Sequence, residues 1–322
     1  MKGATHQTLV PDNRSVSEVF ASVFGSTRVQ PDVSLAPMTT FKTGGAADWF
    51  LETNDGQEVS RALATCHQLG LPVTIVGGGS NVLVGGRGVR GLVVRIRHGR
   101  VALVRPGVVR ADAGVSLNGL VRWTVAHGLS GLERWAGTPG TVGGAIHGNA
   151  HFRGVLIGDQ VVSVDLAGED GVRWRAAVDD MQFGYDRSRL QQSSEVALSA
   201  EFAVTTSAPA ELREAARESL AYRKRTQPLA ARSAGCVFQN PDPQIAALPP
   251  DTPASAGALI DRAGLKGQAV GQAQISNVHG NFIVSDGASP REIRELIDTC
   301  RAAVQERFGI TLVEEIVYLG EF

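Results

Sequence analysis

Glycine is concentrated in two stretches of this chain, and those stretches limit what it can fold into more than any other feature. The first, "TIVGGGSNVLV" (Thr74–Val84), puts Gly77, Gly78, Gly79, Ser80 and Asn81 between two short apolar runs. The second, "WAGTPGTVGGAIHGNA" (Trp135–Ala150), holds five glycines in sixteen residues together with Thr138 and Thr141. Glycine lets backbone turn tightly or approach a ligand closely, and successive N–H groups in such a turn form an anion-binding concavity. Neither stretch is a dinucleotide fingerprint: Gly77-x-Gly79 lacks the third glycine, and no helix pattern follows. No Gly-Lys-Ser/Thr occurs, which excludes a P-loop. Each stretch alone is compatible with a turn kept small for packing. Two in one chain point to a phosphate-bearing cofactor, with Gly77, Gly78, Gly79, Ser80, Asn81, Gly137, Thr138, Gly140, Thr141, Gly143 and Gly144 as candidate contacts.

Around them the pattern is α+β. A helix is expected from Gln57 to Leu69, with Asp55 and Glu58 as a capping box, Val59, Leu63, Cys66 and Leu69 as its apolar stripe, and Gly70 and Pro72 as its stop. A second is expected over Leu117–His127, capped by Ser116, and a charged amphipathic one over Pro209–Arg225. The clearest is "SPREIRELIDTCRAAVQERFGI": Ser289 caps it, Pro290 sits at N1, Glu292 completes a capping box and Gly309 ends it. Short strands with turn signals fill the middle, so the chain is not a regular βαβ repeat. The expected organisation is an extension over 1–30 with one short helix at 15–24, then units over 31–95, 96–207 and 208–322. A last strand over 311–320 closes the chain.

With 322 residues the chain is long enough for two or three cores. A formal net charge of −1 gives no general electrostatic reason to bind nucleic acid or an anionic membrane. No run approaches the ~18 apolar residues of a membrane span, and the N-terminus does not read as a signal peptide. Three cysteines without a CxxC or an even framework suit a reducing, cytoplasmic setting. The seven histidines show no metal-ligand spacing, so no metal is expected.

Cys66 and Cys300 fall on helix stripes, where a thiol behaves as a small hydrophobe. Cys236, in "SAGCVFQNP" (Ser233–Pro241), has no such stripe and is a candidate acid or nucleophile. Arg223, Lys224 and Arg225 just before it suit a phosphate-bearing ligand. Glu314 and Glu315 are adjacent in an extended segment, so only one can face a site.

Taken in order, the segments "TTFKTGGAADWF", "PVTIVGGGSNVLV", "WAGTPGTVGGAIHGNA", "FGYDRSRL", "TQPLAARSAGCVFQNP", "SAGALIDRAGLKG", "SNVHGNFIV" and "LVEEIVYLG" resemble the UDP-N-acetylenolpyruvoylglucosamine reductase family. The resemblance runs from about Thr39 to Gly320. It implies an FAD-binding fold of the vanillyl-alcohol-oxidase type, made of two α+β subdomains, plus a C-terminal α+β substrate domain. It also implies NADPH as hydride donor, a UDP-sugar enolpyruvyl ether as acceptor and a ping-pong reaction in peptidoglycan precursor synthesis. The two glycine loops would then hold the FAD.

The family's proton-donating serine falls at Cys236. A thiol of ordinary pKa, about 8.5, is mostly protonated at pH 7 and can serve as a general acid. Glu315 matches the family's catalytic glutamate. Its catalytic arginine follows the Phe-x-Tyr tyrosine directly, whereas this chain reads Tyr185-Asp186-Arg187; the role is expected to pass to Arg187. Tyr185, Arg223, Arg225, Asn240 and Lys266 are the implied substrate contacts. About fifty residues separate Arg187 from Cys236, too few for the family's extra substrate-covering insertion, and the protein is expected to act as a monomer. The alternatives are another FAD oxidoreductase of the same fold and a flavin-binding module without turnover.

Overall fold

The computed structural model of the protein describes residues 13–244 and 247–322, so the first twelve residues of the expected extension lie outside it. Helix α1 (Asn13–Phe24) leads to β1 (Gln30–Ser34), β2 (Ala46–Thr53), α2 (Gly56–Leu69), β3 (Val73–Val76), β4 (Val82–Val84) and β5 (Val89–Ile96). Four of these strands form a sheet in the order β1-β2-β5-β3, antiparallel at β1/β2 and parallel elsewhere. Its interior strand β5 is buried on both faces, with Leu92 and Val94 on one side and Val93 on the other. That is why it reads as a continuous apolar run and not as an alternation.

Next come β6 (Val101–Arg105), β7 (Val108–Asp112), α3 (Leu117–Ala126), β8 (Leu129–Ser130), α4 (Val142–His147), β9 (His151–Phe152), β10 (Val155–Leu156), β11 (Val161–Ala167), β12 (Arg173–Ala177), β13 (Val196–Ala203) and β14 (Thr205–Thr206). A wholly antiparallel sheet, β12-β11-β13-β7-β6, encloses a second core with α3 and α4, centred on Leu120, Trp135, Ile146 and Phe202. Helix α5 (Pro209–Thr226) lays Leu212 and Ala216 against that same core.

The last part contains α6 (Ala256–Arg262), β15 (Ala269–Val270), β16 (Ala273–Ile275), β17 (Ile283–Ser285), α7 (Pro290–Phe308) and β18 (Val317–Leu319). Strands β15, β16 and β17 form a small antiparallel sheet under α7. This third core also takes in Phe41 and Leu83 from the first part of the chain. The connection is made by β18, which pairs in parallel with β4.

Local chemistry explains most of the helix ends. Ser289 and Glu292 form their reciprocal cap on α7, and Gly309 ends it at φ +68°. In α2, Asp55 accepts from Gln57, but the expected capping box does not close, because the Glu58 carboxylate is held by Arg28. The strand expected over 311–320 is shorter, confined to β18: residues 313–316 direct their backbone groups to another segment, described below.

Leu83 is fully buried where the first and third parts meet. Leu83→Ala is expected to cost about 2–5 kcal/mol of stability, measured by urea unfolding of the purified protein. Val313, 58% exposed, tests the contrast: Val313→Ala should stay within about 0.5 kcal/mol. Equal costs at the two positions would show that the two parts are not joined through Leu83.

Candidate active site

The loop that carries Cys236 is held by backbone bonds on both sides. Gly235 turns at φ +83°, after which Val237 and Phe238 point into the third core at 1% exposure. On one side, Val237 N–H donates to the Asn281 carbonyl at 2.9 Å and Phe238 N–H to Asn281 Oδ1 at 2.9 Å. On the other, Glu315 N–H donates to the Val237 carbonyl at 2.8 Å and Gln239 N–H to the Val313 carbonyl at 2.9 Å. This ladder is where the backbone of 313–316 goes, and it sets Glu315 beside Cys236. The alternation of an extended chain separates the two glutamates. Glu314 meets Arg301 and the Tyr318 hydroxyl, while the Glu315 side chain turns towards His151 and Asp186. Asn81, from the first glycine loop, donates to the Glu315 carbonyl at 2.9 Å.

Around this pair gather side chains from two more segments. His151 on β9 places Nδ1 2.8 Å from Oδ1 of Asp186. Donor atoms of His151, Asp186 and Glu315 all lie within 4.8 Å of one another, close enough for a proton or a cation to be shared. Tyr185 packs its ring 4.8 Å from His151 and accepts the Asn240 N–H at 3.2 Å. Arg223, buried at the end of α5, donates to Thr138 Oγ1 at 2.7 Å and sits 4.1 Å over the Phe152 ring. It has no carboxylate partner among the described residues, and its Nε has no hydrogen bond.

Burial dominates the electrostatics here. It raises the Glu315 carboxyl to about 8, with Asp186 adding to the shift and His151 opposing it, so this side chain is protonated at neutral pH. The Cys236 thiol is pushed well above its ordinary range by burial, then by Glu315 and Asp186, against the weaker pull of Arg223. The ordinary thiol pKa expected from sequence therefore does not hold in this loop. Burial lowers Arg223 to about 10 and raises Tyr185 to about 12. His151 moves upward: burial opposes its charge, but the hydrogen bond and charge of Asp186, with Glu315, outweigh it.

The structure brings together Cys236, Glu315, Tyr185, Asn240 and Arg223. It does not bring in Arg187, whose exposed guanidinium folds back over Gly184. Arg225 is exposed, 6.0 Å over Tyr222, and Lys266 pairs with Asp261 at 2.6 Å. His151 and Asp186 enter the cluster without having been singled out by the sequence. The one local signal was the aspartate that stands where the resemblance expects arginine. Nothing in the spacing of His151 and Asp186 says that they meet.

The two glycine loops face each other. A Cβ at Gly78 would lie 2.7 Å from the Gly140 Cα, one at Gly77 2.3 Å from Thr141 Oγ1, and one at Gly79 2.1 Å from the Met38 carbonyl. The N–H groups of Gly78, Gly79 and Ser80 donate to no protein acceptor among the described hydrogen bonds. Backbone donors without a protein acceptor among the described hydrogen bonds, in a turn packed too closely for a Cβ, suit the pyrophosphate of FAD. The N–H groups of Gly143 and Gly144 are already used within the fold: they lie in α4, where Gly143 N–H donates to the Ala113 carbonyl and Gly144 N–H to the capping Thr141 hydroxyl. A separate cleft of about 690 Å³, lined by Asn54, Arg110 and Arg173 among others, shares no residue with this cluster.

Comparison with known proteins identifies the family. Residues 47–177 match an FAD-binding domain family, and residues 227–319 match the C-terminal domain of UDP-N-acetylenolpyruvoylglucosamine reductase. The chain is 37% identical to the reductase of that name from Gloeobacter violaceus, over 91% of this chain and 97% of the other. It is 38% identical to the one from Synechococcus sp. strain JA-3-3Ab, over 97% and 96%. The crystal structure of the enzyme from Thermus caldophilus superposes with a TM-score of 0.75 at 32% identity, covering 91% of this chain and 99% of that one. With its FAD-binding domain and its matching C-terminal domain, the chain belongs to the UDP-N-acetylenolpyruvoylglucosamine reductase family.

Proposed function

We infer that the protein reduces the enolpyruvyl group of UDP-N-acetylenolpyruvoylglucosamine to the lactyl ether of UDP-N-acetylmuramate, with FAD as its cofactor and NADPH as reductant. One observation carries this reading: Cys236, Glu315 and Arg223 converge from three segments in a chain of this family, and we assign the two facing glycine loops to FAD. When bound, FAD carries a hydride from NADPH to the carbon beta to the substrate carboxylate, in two half-reactions at one site. The protein supplies the rest. Gly78, Gly79 and Ser80, with Gly140 packed opposite, hold the cofactor through backbone N–H groups that have no protein acceptor among the described hydrogen bonds. Arg223, a buried cation without a carboxylate partner, offers its charge to an anionic group of a ligand. Tyr185 and Asn240 border the substrate. Arg225 and Lys266 are left with contacts outside the chemistry.

Hydride delivery at the beta carbon leaves negative charge at the alpha carbon and its carboxylate. Glu315, neutral at working pH, donates a hydrogen bond to that charge. The Cys236 S–H bond then breaks and a C–H bond forms at the alpha carbon. The thiolate regains its proton from solvent before the next turnover. A high thiol pKa does not prevent this, because an enolate carbon is more basic than a thiolate, and it keeps the donor loaded over the whole working range. All these groups belong to one chain, which supports action as a monomer. No helix among the described residues is long and apolar enough to cross a membrane. We place the protein in the cytoplasm, in peptidoglycan precursor synthesis and hence in cell-wall biogenesis, cell shape and division.

The direct test is anaerobic. NADPH should bleach the flavin, and the enolpyruvyl substrate should restore its colour. A yellow protein inert to the substrate would overturn the assignment. Glu315→Gln is expected to slow colour recovery on the order of 10²-fold and leave bleaching nearly intact, whereas Glu314→Gln should alter neither. Recovery should also decline as pH rises through about 8, because Glu315 then loses its proton and adds a negative charge to the site. Cys236→Ser should keep that decline, since the thiol does not titrate there; its disappearance would make the thiol the titrating group. Cys236→Ala should lose about 10²–10⁴-fold in recovery. Finally, Gly78→Ala forces a contact at 2.7 Å with the opposite loop, while nothing lies within 4 Å of a Cβ at Gly86. The first should lower the flavin-to-protein absorbance ratio several-fold and the second should not; equal ratios would argue against the cradle.

A further inference from the structure

Asp186 presents an electrostatic problem. It follows Tyr185, where the resemblance leads one to expect a guanidinium, and it brings the opposite charge. It is 6% exposed, its backbone is held at φ +47°, and its Oδ2 is buried without a hydrogen-bond partner. An isolated carboxylate in that position is strongly unfavourable unless a cation meets it. Arg187 does not: it is exposed, folds over Gly184, and is not among the charges acting on Glu315 or Cys236.

The partner is His151. The two segments are fastened together on either side of the pair. Asn149 Nδ2 donates to the Gly184 carbonyl at 2.7 Å and Ser188 Oγ donates to the His147 carbonyl at 2.7 Å, while within the second segment Gln191 Nε2 donates to the Asp186 carbonyl at 3.0 Å. The ring is thereby fixed with Nδ1 on Asp186, and Tyr185 lies against it. Nε2 has no protein partner among the described hydrogen bonds. The ionisable groups that face the ring are Asp186, Glu315 and Arg223. A protonated ring meets the buried Asp186 carboxyl through Nδ1 and leaves Nε2–H as a donor without a protein acceptor among the described hydrogen bonds, open to the carboxylate of a substrate.

We propose that His151, held by Asp186 as an imidazolium, is the cationic donor that stabilises the charge gathering on the enolpyruvyl group, in the place the resemblance gives to an arginine beside Tyr185. Asp186 is its positioning residue and acts only through the ring. The proposal rests on the function inferred above and deepens it by naming the charge on which the second half-reaction depends.

Two measurements test it, one of them independent of turnover. In the flavin-loaded protein labelled with ¹⁵N-histidine, the His151 ring should be doubly protonated at pH 7, and in Asp186→Asn it should be singly protonated. A neutral His151 ring in the wild type overturns the proposal whether or not the protein turns over the substrate. The second measurement separates the half-reactions by stopped flow. His151→Gln should bleach with NADPH within about twofold of wild type and recover colour on the order of 10²-fold more slowly. His151→Arg, which restores a cation, should regain at least a tenth of the lost rate. Recovery as fast in His151→Gln as in wild type, or no advantage of Arg over Gln in folded, flavin-loaded protein, overturns it. So does a loss in Arg187→Ala as large as that in His151→Gln, which would return the charge to Arg187. A wild type that bleaches but ignores the enolpyruvyl substrate defeats the assigned reaction instead, and is told apart by the histidine spectrum.

Discussion

The ladder between Val237–Gln239 and Val313–Ile316 is the interaction on which the candidate site depends. Only a few backbone bonds make it, yet they join a loop to a terminal segment that is otherwise remote in sequence. Asn281 satisfies the loop's other edge with three hydrogen bonds, two of them through its side chain. Because Val237 and Phe238 are locked into the third core, Cys236 between Gly235 and Val237 has little freedom left. Because Glu315 shares the ladder, its separation from Cys236 is set by backbone geometry and not by side-chain packing. Precision of this kind is what positioned acid catalysis requires.

Burial then decides the protonation of what the ladder assembles. Burial shifts both the Glu315 carboxyl and the Cys236 thiol towards their protonated forms, which makes the carboxyl a hydrogen donor and keeps the thiol one to higher pH. The charged groups that remain, Arg223, His151 and Asp186, are those with either a cation–π contact or a partner of opposite sign. The site is consequently poor in mobile charge and rich in fixed charge, which is the condition under which electrostatic stabilisation costs least reorganisation.

Much of the frame was readable because its causes are local. The ends of α7 follow from Ser289, Glu292 and Gly309, all within a turn of the helix they cap. The separation of Glu314 from Glu315 follows from alternation. What could not be read depended on distant partners. Glu58 leaves its expected cap for Arg28, thirty residues away. The strand expected at 311–320 gives up residues 313–316 because a loop more than seventy positions earlier competes for their backbone. The approach of His151 to Asp186 and Glu315 joins β9, a turn and a terminal segment, and no periodicity marks any of the three. The thiol shift belongs to the same class, since burial is a property of the assembled fold.

The parallel pairing of β18 with β4 bears on how the protein is made. Residues 82–84 are synthesised more than 230 positions before residues 317–319. The first two cores can form while the chain is still emerging, since they are built from nearby strands and helices. The third core needs Leu83 together with Ile316, and Glu315 enters only with that same final segment. A nascent or C-terminally clipped chain can therefore form a cofactor cradle before it has a complete site. Competence waits on the segment that carries Glu315 and β18.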